Sequence, residues 1–228
     1  MKFRNPFAQL NKFEWVLFIT SVITVIISYL VSGNSGLLEM IASLIGVTAL
    51  IFVAKGLIIG QAMTVVFSVF YGVISVKFHY WGEVITYLLM SAPIALLATI
   101  EWFRHPYQNT DVVEVSKVKK KNILTMCVLA TVTTAGFYFI LKVLDTPNLV
   151  FSTLSVTTSF CAAYLTYLRS PYYGVGYALN DVVLIVLWVV ASVKDISYLP
   201  MVFCFVMFLV NDLYGFYNWK RLHKQQKG

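Results

Sequence analysis

A chain of 228 residues with 59% hydrophobic and only 12% charged residues is too poor in charge for an ordinary soluble domain, which carries about 25%. Apolar runs of roughly 20 residues, enough helix to cross a hydrocarbon core of about 30 Å, recur along it and are apolar all round, which excludes a soluble bundle with polar faces. The net charge of +7 is spread over loops and the tail, so it speaks for membrane topology and against a nucleic-acid partner.

Residues 1–14 are basic with interspersed Phe and Leu and read as a short interfacial lead-in. The first uncharged run, Trp15–Val31, is long and lacks a small-residue cleavage site, so it is expected to stay as a helix. It ends at the flexible turn Ser32-Gly33-Asn34-Ser35-Gly36. Further spans follow at Leu37–Ala54, Leu57–Val76 and Val84–Ile100, the last expected to kink at Pro93. The polar stretch Arg104–Lys121 reads as a linker. Four more spans follow, Asn122–Leu141, Asn148–Leu168, Tyr172–Val193 and Ile196–Trp219, and then a basic, mobile tail. Cys127, Cys161 and Cys204 fall inside apolar runs with no paired spacing and are expected to be free, buried thiols. His79, His105 and His223 lie at span edges and read as solvated, and Tyr217 and Trp219 as interface anchors.

Eight spans place both termini on one side. Fourteen of the 17 Lys and Arg residues then share that side, and only Lys77, Lys142 and Lys194 fall opposite. Under the positive-inside rule both termini are cytoplasmic. The chain also echoes itself. Trp188–Lys194 (WVVASVK) repeats Tyr71–Lys77 (YGVISVK) at an offset of 117, and the same offset sets Trp102 on Trp219 and Arg104 on Arg221. Three-helix copies separated by one helix are parallel, an arrangement found in repeat transporters. The expected architecture is therefore an all-α polytopic membrane protein of eight transmembrane helices. Its divisions are an N-terminal segment with an extra helix (1–36), a first bundle (37–103), a linker with a connecting helix (104–146), a second bundle (147–219) and the tail (220–228).

Chemistry concentrates in spans seven and eight, where Asn180-Asp181 and Asn211-Asp212 put carboxylates inside the membrane. Each costs about 2.5–3.5 kcal/mol on insertion scales, so each must face the bundle interior and find a partner. Two readings compete, Asn–Asp pairs that knit helices together and groups that line a pocket. Helical spacing favours the pocket. Asp181, Ile185, Trp188 and Ser192 form one stripe, and Thr64, Ser68, Tyr71 and Ser75 form the equivalent stripe of span three, with Gln61 a turn below. Tyr214 shares a face with Asn211. The hydroxyl-rich run Ser152–Ser159 fits close helix packing at least as well as a site. No nucleotide-binding, hydrolase or metal motif is present, so no cofactor is expected, and a two-Asp intramembrane protease leaves the repeat unexplained.

The stretches GQAMTVVFSVFYGVIS, WGEVITYLLMSAP, RSPYYGVGYALNDVVLIVLW and NDLYGFYNW resemble the PnuC family of vitamin-precursor transporters over roughly residues 37–222. One departure is Trp81, where a tyrosine is expected before Gly-Glu. The resemblance implies a three-plus-one-plus-three helix core like that of the SWEET sugar transporters. It also implies facilitated diffusion of nicotinamide riboside across the cell membrane, with retention by a cytosolic kinase. Relatives carry thiamine, riboflavin or deoxynucleosides, and a receptor or structural protein without flux is the reading from another class. The residues expected to bind substrate are Gln61, Thr64, Ser68, Tyr71, Asn180, Asp181, Trp188, Asn211, Asp212 and Tyr214. Partners are a small-molecule substrate and the lipid bilayer, with self-association into a homo-oligomer left open.

The charge split predicts that cysteines introduced at Lys117 and at Asn34 label from opposite faces of the membrane. Labelling of both from outside would overturn the topology.

Overall fold

The computed structural model describes residues 4–32, 37–77, 81–146 and 148–227, without the side chains of residues 32, 74, 75, 77, 83 and 197. The expected turn at 33–36, His79 and the repeat-matched side chains of Ser75 and Lys77 lie outside the described residues. The chain is helical: α1 (Lys12–Ser32), α2 (Leu37–Ala54), α3 (Ile58–Lys77), α4, α5 (Lys120–Val143), α6 (Leu149–Tyr167), α7 (Tyr173–Lys194) and α8 (Leu199–Gln225). Helix α4 joins Trp81–Ile85, a π-helical turn at Thr86–Ser91 and Ala92–Arg104 into one continuous run. Among the described residues seven helices are long and apolar enough to cross a membrane, and α3 adds the shorter apolar stretch Ile58–Val73. The expected kink at Pro93 is a π turn. Proline lacks an N–H for the preceding turn, and the widened turn absorbs the misfit just before it.

Six helices close a ring. Neighbours α2–α3–α4 pack in sequence, as do α6–α7–α8, and the two series meet where α2 touches α8 and where α4 touches α6. Helix α1 leans on α2 and α8, while α5 leans on α6. Small residues set the spacing around α7. A Cβ on Gly174 would stand 2.5 Å from the Asp212 carbonyl oxygen, and one on Gly176 would stand 2.9 Å from Ala162 Cα, so α7 lies almost backbone to backbone with both neighbours.

One end of the ring is sealed. The indoles of Trp102 (α4) and Trp219 (α8) are fully buried with centroids 5.2 Å apart. Trp102 Nε1 donates to Thr166 O at 3.0 Å, and Trp219 Nε1 donates to Val53 O at 2.8 Å. Each thereby satisfies a carbonyl in the last turn of a helix from the other series. Trp219 is thus a core residue rather than an interface anchor, while Tyr217 is exposed.

The stretch Arg104–Lys121 is a plug as much as a linker. Val113 and Val115 sit in the core with the tryptophans, Val113 N donates to Gly56 O, Ile58 N donates to Asp111 O, and Ser116 N donates to Arg169 O. The tail is also fixed. Helix α8 continues to Gln225, and Gln226 bonds Val113 O and Val115 N through its side chain. The lead-in docks too, with Gln9 Nε2 donating to Asp111 Oδ2 at 2.7 Å. Asn11 and Glu14 form a reciprocal capping box, in which Asn11 N donates to Glu14 Oε2 and Glu14 N donates to Asn11 Oδ1. Glu14 is fully buried, paired with Lys55 Nζ at 2.9 Å, and accepts from Tyr214 Oη at 2.6 Å. Buried carboxylates are therefore not confined to α7 and α8. The thiols are free, but only Cys204 is buried, whereas Cys127 is exposed on α5.

The seal makes a stability prediction. Trp219→Phe leaves the Val53 carbonyl unpaired and should cost about 1–3 kcal/mol, and Trp219→Ala about 3–5 kcal/mol through the cavity it opens. Trp102 should behave alike. Thermal denaturation of the purified variants in detergent measures both, and unchanged melting would show that the pair does not hold the bundle.

Candidate functional site

Inside the ring two cavities lie end to end. The outer one, about 400 Å³, runs from Trp81, Asn148, Lys194 and Tyr198 inward past Tyr71, Trp188 and Ser155. The inner one, about 100 Å³, is lined by Gln61, Thr64, Ser68, Tyr173, Tyr177, Asp181 and Asp212. They share Tyr87, Ser91, Ser159, Asn180, Leu184 and Phe205, so these residues form a neck between them. The outer volume is in the range of small-molecule sites, roughly 300–1,000 Å³.

Helical geometry explains which residues reach this space. On α7 the spacing of Asn180, Leu184, Leu187, Trp188 and Ala191 keeps one face on the outer cavity, and Asp181 turns one residue further round to the inner one. On α3, Gln61, Thr64 and Ser68 face the inner cavity and Tyr71 the outer, so these residues meet Asp181 and Trp188 of the α7 stripe in one space, while Ile185 of that stripe lines neither cavity. Ser192 instead donates back to Trp188 O at 2.7 Å and lines neither. Asn211 and Asp212 are about 100° apart on α8, so they cannot share a partner surface. Asp212 takes the cavity, while Asn211 Nδ2 donates to Ser21 Oγ on α1 at 3.0 Å. Tyr214 follows Asn211 to the α1 side, where it bonds Glu14 and packs on Phe13 with ring centroids 5.1 Å apart and tilted by 49°. Asn211 and Tyr214 are thus corrected from cavity wall to helix packing.

The polar groups are arranged by depth. Thr158 Oγ1 donates to Asn180 Oδ1 at 2.8 Å, which fixes the amide at the neck with its N–H groups available. Below it Asp181, only 3% exposed, lines the inner cavity together with Asp212, and Asp181 Oδ2 has no hydrogen-bond partner among the described residues. Above it Trp188 Nε1 is also buried without a hydrogen-bond partner among the described residues, with the ring 5.6 Å from Tyr198. Leaving such a group unpaired costs about 1–3 kcal/mol, so native structures do so mainly where a ligand or water completes the set.

The sequence reading missed an aromatic wall. Tyr71 and Tyr87 stand 4.7 Å apart, Phe67 packs on both, and Phe205 and Phe208 continue it from α8. Tyr87 lies in the quoted WGEVITYLLMSAP stretch, yet nothing local marks it as facing inward. The hydroxyl run of α6 divides its duties. Ser152, Ser155 and Ser159 line the cavity, while Thr157 bonds Thr134 of α5 at 2.7 Å. Among the described residues no group of His, Cys, Asp and Glu could hold a metal ion.

The outer cavity opens toward Trp81 and Lys194, and the inner one ends at Val53 and Tyr173, behind which the tryptophan pair packs. In a background lacking the native cysteines, Ser155→Cys should react rapidly with a water-soluble thiol reagent from that face. Ser68→Cys, in the inner cavity, should react much more slowly. Equal rates would mean that the neck is no barrier.

Residues 36–221 match the family model described as nicotinamide mononucleotide transporter. A nicotinamide riboside transporter PnuC of Neisseria mucosa is 26% identical over 233 residues, covering 99% of this chain and 87% of that protein. One of the same name from Haemophilus influenzae is 26% identical over 216 residues, covering 93% and 92%. A crystal structure of a vitamin B3 transporter PnuC shares the fold, with a TM-score of 0.79 at 24% identity, over 95% of this chain and 94% of that one.

Proposed function

The chain belongs to the nicotinamide mononucleotide transporter family, a family of multi-span membrane transporters, and on that premise we propose that it carries nicotinamide riboside across the cell membrane by facilitated diffusion. Phosphorylation on the cytoplasmic side would retain the substrate. The observation that carries the choice of riboside over mononucleotide is the charge of the cavity. Asp181 and Asp212 lie at its depth, and the only cation lining either cavity among the described residues is Lys194 at the mouth. A phosphate would meet carboxyls with no counter-charge, whereas a pyridinium ring gains from them and from the faces of Trp188, Tyr71 and Tyr87. The ribose hydroxyls match Asn180, Gln61, Thr64, Ser68 and the serines of α6.

The proposal includes a SWEET-like three-plus-one-plus-three core, with bundles at 37–103 and 147–219 related by the 117-residue offset. The reciprocal α2–α8 and α4–α6 contacts and the matched tryptophans support it. Both termini are placed in the cytoplasm, together with Arg104–Lys121, on the strength of the lysine and arginine distribution.

Proteoliposomes containing the protein should equilibrate labelled nicotinamide riboside with no ion gradient and no ATP, and should exclude the mononucleotide. Trp188→Ala should weaken riboside binding by about 1–3 kcal/mol, the range for lost base–aromatic stacking, without unfolding. Asp181→Asn should harm the cationic riboside far more than a neutral deoxynucleoside. Uptake that collapses with a proton or sodium gradient would recast Asp181 as a coupling site, and binding without flux would make the protein a receptor.

A further inference from the structure

A third concavity, about 770 Å³, lies outside the ring, between the start of α5, the turn before α7 and the end of α8. Its rim carries Lys117, Lys220 and Lys224, and its floor is Ile123, Met126 and Leu165. Among the described residues no carboxylate lines it, and none of the three lysines has an ion-pair partner. Lys220 Nζ is held instead over the rings of Phe216 at 4.8 Å and Tyr172 at 5.4 Å. Just beyond the rim, the Lys117 ammonium lies beside that of Lys227 and holds it below the ordinary lysine range. The fold thus gathers like charges here and provides no anion of its own.

The floor points to what accompanies that anion. Ile123 opens onto the outer face of α5, where Leu124, Val128 and Val132 are exposed, and α5 is the least buried of the long apolar helices. Cations at the helix ends and an apolar trough one to two turns deeper reproduce the head-to-tail order of a bilayer leaflet.

We infer that this groove binds an acidic phospholipid, with the phosphate on Lys117, Lys220 and Lys224 and an acyl chain along Ile123, Met126 and Leu165. The site is separate from the transport cavity, and its occupant would brace α5 against the end of α8, two helices with no extensive contact of their own.

The test uses full-length protein purified in uncharged detergent and stripped of lipid, with retained lipid counted by native mass spectrometry. Phosphatidylglycerol should bind saturably and phosphatidylcholine should not. At about 1 kcal/mol per lysine near an anionic surface, joint replacement K117Q/K220Q/K224Q should lower the apparent affinity by at least ~10-fold. The corresponding triple arginine variant should keep it, which separates lost charge from lost folding. Neutralising Lys119, Lys120 and Lys121, which lie outside the groove, should leave binding unchanged. Wild-type retention by the glutamine variant, or an equal loss on neutralising 119–121, would overturn the site. Displacement of phosphatidylglycerol by inorganic phosphate at millimolar concentration would make it a free-phosphate site and overturn the lipid assignment.

Discussion

The two indoles at the closed end of the ring are the contact on which the interior depends. Helices α2 and α6 each stop beside the other series of helices, leaving carbonyls that a membrane core does not tolerate unpaired. Trp219 and Trp102 resolve both ends reciprocally, because each Nε1 reaches across to Val53 O or Thr166 O while the rings pack on one another. Asn218 reinforces one side by donating to Ala54 O at 2.9 Å. With the helix ends fixed in this way, Val113, Val115 and Tyr173 fill what remains, and the cavity becomes a blind well.

The chemistry of the well follows from backbone spacing. Gly174 lets α7 approach α8 at the Asp212 carbonyl, and so two carboxyls from successive helices end at one depth. Gly176 does the same against α6 and brings Asn180 within reach of Thr158. A larger residue at either glycine would push α7 outward and part these pairs before any polar side chain was changed. The functional groups are thus placed by residues that carry no chemistry themselves.

The spans, the inward stripes of α3 and α7 and the buried Asn–Asp pairs were legible in the sequence because each rests on helical periodicity or on the cost of charge in lipid. The fate of Asn211 and Tyr214 was not legible. Helix α8 touches α1, α2 and α7 at once, and periodicity gives the angle between residues without saying which neighbour lies at which angle. The capping box of Asn11 and Glu14 was present in the letters, but a carboxylate at a span edge reads as solvated until Lys55 and Tyr214 are seen closing over it. The stretch Arg104–Lys121 misled for a related reason. Its lysines face outward, while Asp111, Val113 and Val115 are inside, and the alternation is too short to register as a pattern.

The two seams between the helix series are unequal, and this bears on how a blind well could conduct. At the α2–α8 seam, Trp219 and Asn218 bond α2, and α1 staples both helices through Glu14, Lys55, Tyr214 and the Ser21–Asn211 pair. Opening it would strip the buried Glu14 of Lys55 or of Tyr214, whichever lies on the helix that leaves α1, at a cost of about 2–5 kcal/mol. At the α4–α6 seam the described polar links include the Trp102–Thr166 bond, worth about 1 kcal/mol net, and the partly exposed Glu101–Arg169 pair at 3.6 Å just past the end of α6, alongside apolar contact through Met90, Val156 and Phe160. That seam also holds the π turn of α4, whose hydrogen bonding is already relaxed. Release of substrate through the sealed end would therefore part the ring at α4–α6 and pivot on α2–α8. The cost on the weaker side, a few kcal/mol, is within what a ligand's preference for one of two states can shift.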